Sequence, residues 1–397
     1  MSDKIDYLTA NGCGKDYAAL ETELLEALSR FSIYDYITPA NLKEAEATFL
    51  EFGEDPVFEY GGDVGELDAL EKWVRGLPLA REEGCWPFLA RARDVFLKEI
   101  GLARAVGGDD FEKYTVLHTP PPTSREAENA LKVLSWAWTG EEKPVVEDKT
   151  LEASSVVERF KMELKRLGMS GWSVIIGDGV ARARVEASRK RVVIKGGEWF
   201  AESEIRRLVA HEIWGHALRG ESGSRQPARV LGTQYLGGGA TDEGIALHLE
   251  MAAGAWRGPM RAARHVVAVS AARGASFSGV YKAIRKYART DKEAFSQVAR
   301  VKRGLRDTSK PGGWTKDVIY FRGLVEMQRY FSQASYFDVE CLYAGKFPLA
   351  DCELVRRGLR EGLLRTPALL PPPLTRENYK ASLKRMREAY AATPMDL

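Results

Sequence analysis

The sequence predicts a mainly helical α+β protein with a small antiparallel sheet and an N-terminal helical layer. Apolar residues recur at helical spacing along most of the chain. Only the stretch from about residue 172 to 195 shows the alternating and β-branched pattern of strands. The connector Thr119-Pro-Pro-Pro-Thr-Ser124 fits neither a helix nor a central strand. We therefore expect the N-terminal layer to end near this connector, which divides the chain into residues 1–120 and 121–397.

The composition indicates an ordinary soluble globular protein, with 397 residues of which 45% are hydrophobic and 29% charged. Its 58 Lys and Arg residues nearly balance 56 Asp and Glu residues, so no overall charge favours nucleic acid or acidic lipid. The sequence has no run of about 18 apolar residues and starts without a secretion-signal pattern. Four scattered cysteines predict reduced thiols. We expect a cytoplasmic protein without nucleic-acid or membrane partners.

Amphipathic helices are predicted on both sides of the strands, because apolar residues fall on one face of each segment. Pro39 is expected at the first position of the second helix, where its missing N–H leaves no hydrogen bond unmade. The helices before the strands lie at about 16–31, 38–52, 63–77, 86–101, 125–138 and 150–167. Those after Glu243 lie at about 256–272, 277–288, 291–304, 315–331, 333–345, 350–363 and 376–391.

Three strands are predicted, at residues 172–177, 181–187 and 191–195. The segments Gly177-Asp178-Gly179 and Ser188-Arg-Lys190 interrupt them with residues typical of turns. Short strands joined by short turns favour antiparallel pairing. We therefore expect one small antiparallel sheet.

A short region near the middle of the chain has the composition of a metal site. It holds three of the five histidines, His211, His216 and His248. His211 and His216 are five residues apart, which in an ideal α-helix places the second ring about 140° around the helix from the first. A π-bulge, a wide turn closed by an i to i+5 bond, would bring both rings to one face. We predict such a turn in a helix at about 201–219, made easier by Gly215.

Glu243 is the predicted third ligand. It lies at the start of a helix at about 241–254, which follows the turn Gly237-Gly238-Gly239 and has Thr241 as its cap. Two histidines and one carboxylate would leave one position of a tetrahedral zinc ion open, as a catalytic site requires. The sequence therefore predicts two helices that converge on a zinc ion.

Glu212 is the predicted general base. Because it directly follows His211, its side chain is expected to point toward the side where an attacking water would lie. We expect His248 to be structural or to support the ligands, and His118 and His265 to be ordinary. A histidine pair alone can occur by chance in a helix, but the HExxxH pattern, the glycine turn and the following Glu-Gly together favour a metal site.

Five segments carry a resemblance to a known family. They are His211-Glu-Ile-Trp-Gly-His-Ala-Leu-Arg-Gly220, Arg225-Gln-Pro-Ala-Arg229, Asp242-Glu-Gly-Ile-Ala246, Pro311-Gly-Gly-Trp-Thr-Lys-Asp-Val-Ile-Tyr-Phe-Arg-Gly323 and Asp55-Pro-Val-Phe-Glu-Tyr60. Together they resemble the tyrosine carboxypeptidase family of zinc metallopeptidases, which includes microtubule-associated tubulin detyrosinases. The resemblance extends from about residue 20 to about residue 345. The chain departs from the family pattern at Trp214-Gly215, where the family has Gly-Thr or Gly-Val, and at Asp242, where it has Gln or Glu.

This resemblance implies a gluzincin-like core, in which a small sheet precedes the metal helix. The hairpin at 181–195 would then line the cleft and pair its edge strand with an extended substrate. The resemblance also implies a zinc-dependent carboxypeptidase that releases a bulky or aromatic residue from the C-terminus of a peptide or protein. Its zinc would be held by His211, His216 and Glu243.

The resemblance also suggests residues for the substrate. Tyr320 or Arg322 would donate a second hydrogen bond to the oxyanion, beside the metal. Arg322, Lys316 or Lys195 would bind the free carboxylate of the substrate. Trp214 would sit beside the metal and narrow the substrate pocket.

Two other readings of the same site stay open at this point. The first is an endopeptidase or an aminopeptidase, which would use the same metal and base on a different part of the substrate. The second is a catalytically silent peptide-binding module in which the same residues serve as a scaffold. Cleavage of blocked peptides separates the peptidases, and binding without turnover identifies the module.

Overall fold

Helices form most of the protein, as the apolar periodicity predicts. The computed structural model describes residues 15–62, 64–79, 84–137, 150–178 and 181–393. The α-helices before the strands are Lys15–Arg30, Ile33–Ile37, Leu42–Phe52, Val64–Arg75, Trp86–Ala105, Phe111–His118, Ser124–Ala137 and Ala153–Arg166. Those after the strands are Glu202–Leu208, Leu218–Ser224, Gly239–Ala252, Met260–Ala272, Phe277–Arg285, Asp291–Lys302, Ile319–Gln333, Tyr336–Leu342, Cys352–Arg360 and Tyr379–Ala391.

Several predicted helix boundaries are wrong by three or more residues. The second helix was expected to start at Thr38 and Pro39, but Thr38 instead follows the short helix Ile33–Ile37 in extended backbone, and the next helix begins at Leu42. The helix expected from residue 150 begins at Ala153, because the three residues before it pair as a strand. The second change follows from pairing of residues 150–152 with residues 199–201, and the local pattern does not contain this pairing. Thr241 was expected to cap the helix of Glu243, but that helix begins at Gly239, directly after Gly238.

The sheet is mixed, so the prediction of one antiparallel sheet is wrong. The strands are β1 (Thr150–Glu152), β2 (Ser173–Gly177), β3 (Ala183–Glu186), β4 (Arg191–Lys195) and β5 (Trp199–Ala201). β3 and β4 form the expected antiparallel hairpin, but β4 lies between β2 and β3 and runs parallel to β2. β1 and β5 form a separate antiparallel pair, and β5 leads directly into the next helix. The alternation of apolar and polar residues predicts that a segment is a strand, but it does not predict which strands pair or in which direction they run.

Two glycines allow the helices Gly239–Ala252 and Ile319–Gln333 to pack closely. A Cβ atom on Gly323 would lie 1.9 Å from the carbonyl oxygen of Ala240. A Cβ atom on Gly244 would lie 2.2 Å from the carbonyl oxygen of Gly323. Both distances are far inside van der Waals contact, so only glycine fits at either position.

The helices before residue 120 share a hydrophobic core with those after it. Phe96 packs its ring edge-on against Phe31 and against Tyr235, with ring centroids 5.3 and 5.4 Å apart. Phe49 packs against Phe277, with centroids 4.8 Å apart. The division of the chain at residue 120 stays a prediction.

The sequence predicts that all four cysteines are reduced thiols, and the structure differs from this prediction at one of them. Cys341 and Cys352 are free and buried. Cys85 is disulfide-bonded, so the expectation of a reduced thiol is wrong at this position. Cys13 lies outside the described residues. The cytoplasmic location stays a prediction.

None of the helices in the described part of the chain combines the length and the apolar character needed to cross a bilayer.

Candidate metal centre

The metal helix consists of three consecutive segments, the α-helix Glu202–Leu208, the π-helix Val209–Ala217 and the α-helix Leu218–Ser224. The predicted wide turn is therefore confirmed, and it extends over more than one turn. Since i to i+5 bonding widens each turn, two side chains five residues apart come to the same face. The rings of His211 and His216 lie with their centroids 4.9 Å apart, at an angle of 79°.

Gly215 has a packing role in addition to the one expected from the sequence. A Cβ atom at this position would lie 2.7 Å from the Cβ atom and 2.9 Å from the Cα atom of Ala246. The helix Gly239–Ala252 can approach the metal helix only because Gly215 has no side chain. This approach brings Glu243 to the two imidazoles.

The structure brings the three predicted ligands together. The Oε2 atom of Glu243 lies 3.2 Å from Nε2 of His211 and 3.6 Å from Nε2 of His216. One candidate ligand atom from each residue lies within 4.8 Å of the others. Ligands placed about 2.0–2.2 Å from a tetrahedral zinc ion would lie roughly 3.3–3.6 Å apart. The two separations from Glu243 suit that geometry.

The chemistry of these atoms also fits a metal ion. The Oε2 atom of Glu243 is buried and accepts no hydrogen bond of good geometry from the described part of the chain. A buried carboxylate oxygen without a donor is unfavourable, and native structures rarely contain one without a functional reason. Two imidazole nitrogens and one carboxylate oxygen form a common ligand set for catalytic zinc. The residues present therefore fit the ion that the sequence predicts.

Two carboxylates orient the histidine rings. Nδ1 of His211 lies 2.9 Å from Oε1 of Glu250, and Nδ1 of His216 lies 2.8 Å from Oδ2 of Asp242. A carboxylate on Nδ1 holds the proton there and leaves Nε2 free as the ligand. Neither role was predicted from the sequence. The signal was available for Glu250, which follows Glu243 by seven residues and so lies two helical turns further along the same face.

Buried cations balance the negative charge of Asp242. Arg219, which is fully buried, donates to Oδ1 of Asp242, and Nζ of Lys346 lies 2.8 Å from its Oδ2. Burial favours the neutral acid, but Lys346, His216 and Arg219 hold the pKa of Asp242 well below its usual range. The acid therefore stays ionised and can keep the ring of His216 in place. Arg207 supports Glu250 in the same way, at 3.1 Å.

The charges of the site raise the pKa of both histidines. Burial alone would lower the pKa of His211, but the nearby carboxylates of Glu243 and Glu250 raise it to about 10. The pKa of His216 is raised to about 9, because the charges of Asp242 and Glu243 outweigh its burial. Both rings therefore carry a second proton at neutral pH in the metal-free chain, and a metal must displace it.

Glu212 is buried beside the ligands. Burial raises the pKa of its carboxyl group, although the charges of His211 and His216 act in the opposite direction. A carboxylate with a raised pKa holds a proton more firmly than an exposed one, which suits a general base working near neutral pH. This position agrees with the role predicted from the sequence.

Tyr320 lies near the ligands. Burial and the charge of Glu243 raise the pKa of its phenol, so the hydroxyl keeps its proton and can donate a hydrogen bond. The ring of Tyr320 stacks on that of His265, with centroids 5.3 Å apart and an angle of 27° between the planes. His265 was expected to be ordinary. It is a buried support for Tyr320, and burial lowers its pKa to about 3.

Arg322 does not fit the role suggested for it. Its guanidinium donates to both carboxylate oxygens of Glu126, at 2.6 and 3.1 Å, and to the carbonyl oxygens of Pro120 and Pro121, at 2.8 and 2.9 Å. These bonds engage Nε and both terminal nitrogens. Arg322 therefore anchors the proline connector to the helix Ile319–Gln333, and we withdraw it as an oxyanion or carboxylate ligand.

Lys195 and Trp214 have other partners. Nζ of Lys195 lies 2.8 Å from Oε1 of Glu198, so its charge is already balanced within the chain. The indole nitrogen of Trp214 donates to Oε1 of Glu163 at 2.5 Å, which ties this side chain to the helix Ala153–Arg166. These contacts give neither side chain a substrate role. Strand β3 does lie beside the π-helix, as expected for a hairpin at the cleft.

His248 is structural. It is fully buried, its Nδ1 lies 2.6 Å from the carbonyl oxygen of Gly244, and its Nε2 pairs with the hydroxyl of Tyr390. Burial lowers its pKa to about 4, so the ring is neutral. It therefore ties the C-terminal helix Tyr379–Ala391 to the helix that carries Glu243.

The orienting role of Glu250 leads to a prediction. Glu250→Gln keeps the size of the side chain but removes the charge, so zinc affinity should fall about 10-fold, the lower end of the range for loss of such a partner. Competition with a chromophoric chelator measures the affinity. Glu158→Gln, which changes an exposed glutamate paired with Lys161, is the matched control. Unchanged zinc affinity in Glu250→Gln would show that Glu250 does not orient His211.

Comparison with known proteins connects the site to a family. A family model described as "Microtubule-associated tyrosine carboxypeptidase" matches residues 86–390, which is more than half of the chain. "Microtubule-associated tyrosine carboxypeptidase 1" of Rattus norvegicus is 31% identical over 153 residues, covering 34% of this chain and 32% of the relative. "Putative tyrosine carboxypeptidase MATCAP2" of Homo sapiens is 24% identical over 309 residues, covering 73% of this chain and 56% of the relative. The matches thus span about a third of the rat protein and about half of the human protein.

Proposed function

The chain belongs to the microtubule-associated tyrosine carboxypeptidase family, and we propose that it is a zinc-dependent carboxypeptidase with a gluzincin-like core. Its substrate would be a peptide or protein with a free C-terminus, from which it releases one bulky or aromatic residue. The observation that carries the proposal is the convergence of His211, His216 and Glu243 beside the buried Glu212. Microtubule association is a property named for the relatives, and the proposal concerns the C-terminal chemistry alone.

In this proposal His211, His216 and Glu243 would hold the zinc ion. When bound, zinc supplies Lewis-acid chemistry, which polarises a peptide carbonyl and acidifies water. Asp242 and Glu250 keep both imidazoles turned toward the ion through hydrogen bonds to their Nδ1 atoms.

Glu212 performs the proton transfers. Its carboxylate accepts a proton from the water that attacks the carbonyl carbon, and then gives this proton to the nitrogen of the departing residue as the C–N bond breaks. The raised pKa of Glu212 suits both steps, because the group must hold the proton briefly and then release it. Burial keeps bulk water from exchanging that proton.

Tyr320 is the proposed donor to the developing oxyanion. Its phenol keeps its proton because burial and the charge of Glu243 raise its pKa. A neutral donor held at fixed geometry stabilises charge that appears on the carbonyl oxygen during attack. Stacking on His265 holds the ring of Tyr320 in place.

The position of cleavage is tested with three versions of one peptide that ends in tyrosine. The free acid and its N-acetylated copy should both lose tyrosine, whereas the C-terminal amide should react more than tenfold more slowly. A charged hydrogen bond to the carboxylate contributes roughly 1.5–3 kcal/mol, which corresponds to such a preference. Mass spectrometry of the products gives the cleaved bond.

Other results would identify the alternatives. Equal cleavage of the amide would show an endopeptidase, and loss of cleavage after acetylation would show an aminopeptidase. Tight binding of the free acid by the zinc-loaded protein without any turnover would show a binding module. Each of these results contradicts the proposed carboxypeptidase.

A further inference from the structure

The side chains of Arg303 and Lys316 face the same two aromatic rings, and we infer that these two cations bind the α-carboxylate at the C-terminus of the substrate. We call this pair of side chains the cationic pocket. The inference rests on the proposed carboxypeptidase function and assigns residues to its choice of a free C-terminus. Lys316 was suggested by the family resemblance, whereas Arg303 is identified only in the structure.

Arg303 is a buried cation that forms no ion pair with the residues that the structure describes. Its side chain is 5% exposed, and its guanidinium carbon lies 4.0 Å from the ring centroid of Trp314 and 5.6 Å from that of Tyr34. Its Nε is buried and donates no hydrogen bond. Among the described residues, no carboxylate oxygen lies within 4.0 Å of its nitrogens. A buried charge is unfavourable unless it is paired, so this position favours an anion supplied by a ligand.

Lys316 faces the same two rings. Its Nζ lies 5.3 Å from the ring centroid of Tyr34 and 5.4 Å from that of Trp314, and 3.4 Å from the hydroxyl of Tyr34. In the part of the chain that the structure describes, its ammonium also has no carboxylate within 4.0 Å. The side chain is half-buried, so part of Lys316 is open to solvent. Two cations thus face the same rings, and neither forms an ion pair with a carboxylate of the described residues.

Asp317 and Glu99 act on these cations from outside ion-pair distance. Asp317 is bound by Arg300 through two parallel hydrogen bonds, at 2.8 and 2.9 Å. Glu99 favours the charged form of Lys316, but it lies outside ion-pair distance of the ammonium and 3.5 Å from Nε2 of His118. The pocket keeps a positive charge that a carboxylate would balance.

The pocket is placed where a carboxypeptidase needs it. Lys316 begins a 3-10 turn that leads into the helix of Tyr320, so these residues, four apart, are separated by roughly 6–8 Å along the axis. In an extended substrate, one residue spans about 3.3 Å. The terminal carboxylate lies one residue beyond the carbonyl that Tyr320 would contact, and the long side chains of Lys316 and Arg303 can span the remaining distance. A guanidinium and an ammonium together suit a carboxylate, since the first can bind both oxygens and the second adds a point charge.

Arg261 is the competing cation. Its guanidinium carbon lies 6.0 Å from the ring centroid of Tyr320, its side chain is exposed, and it too has no carboxylate within 4.0 Å among the described residues. The observations favour the cationic pocket because it has two cations, of which Arg303 is buried with an unpaired Nε. Arg261 is therefore included as an arm of the test.

The test measures binding, so that it does not depend on turnover. The probes are acetyl-Gly-Gly-Gly-Tyr as the free acid and as the C-terminal amide, titrated calorimetrically into zinc-loaded Glu212→Gln protein. This Glu212→Gln protein, the parent of the variants below, should bind the free acid more than tenfold more tightly than it binds the amide. Lys316→Gln and Arg303→Gln should each lower the affinity for the free acid about tenfold and leave that for the amide unchanged. Thermal unfolding checks that each variant is folded.

Three results would overturn the inference. If Lys316→Gln keeps the parent's preference for the free acid, the pocket does not bind the carboxylate, and this variant decides the matter even if Arg303→Gln fails to fold. If Arg261→Gln alone loses the preference, Arg261 is the ligand. If the parent binds acid and amide equally, no carboxylate site exists. The proposed function fails separately, when the wild type releases no C-terminal tyrosine from the free acid.

Discussion

Glu212→Gln is expected to lower the rate of peptide hydrolysis by about 10²- to 10⁴-fold, the usual contribution of a placed acid or base. Glutamine has the same shape as glutamate but cannot accept the proton of the attacking water. Zinc content and thermal stability should stay close to those of the wild type, because Glu212 is assigned no ligand role. Steady-state rates on a tyrosine-terminated peptide, with zinc content measured on the same samples, provide the test.

Glu202→Gln is the control for this change. Glu202 lies on the same helix, and its carboxylate is 3.6 Å from Arg159, outside the ligand set. This control should keep the wild-type rate. Wild-type turnover by Glu212→Gln would show that another group is the base.

His211→Ala and Glu243→Ala are expected to lose most of their bound zinc. Each removes one of three ligands, and the loss of His211 also leaves Glu250 without the ring that it orients. Metal analysis after dialysis against a weak chelator gives the occupancy. His118→Ala, which changes a histidine outside the ligand set, should keep its zinc. Full zinc occupancy in either variant would show that the substituted residue is not a zinc ligand.

Zinc affinity should also fall as the pH falls from about 9 to about 5. The pKa values of His211 and His216 are raised to about 10 and about 9 in the metal-free chain. Zinc binds only the form with Nε2 unprotonated, so protons compete with the metal below these values, and more strongly at lower pH. Competition titrations at several pH values follow this trend, and a pH-independent affinity would contradict it.

Local spacing predicted the centre of the site. The five-residue separation of His211 and His216 required a π turn, because no α-helix brings such a pair to one face, and the structure has that turn. Glu243 was predicted from the glycine turn and the helix start that follows it. These signals lie within a few residues of each other, where helix geometry decides positions.

Contacts between distant segments were not predictable in the same way. The order of strands β2, β4 and β3 depends on pairing that alternation does not encode. Arg322 was a reasonable cation from the sequence, yet the proline connector binds it. The unpaired charge of Arg303 is visible only when its surroundings are known, because the sequence does not show which cations lack acids.

The zinc content of the purified wild-type protein tests the central claim most directly. Inductively coupled plasma mass spectrometry should find about one zinc ion per chain, the number that a single three-ligand site holds. Protein prepared without metal should take up the same amount after zinc is added and the excess removed. No bound transition metal, even after this addition, would contradict the account.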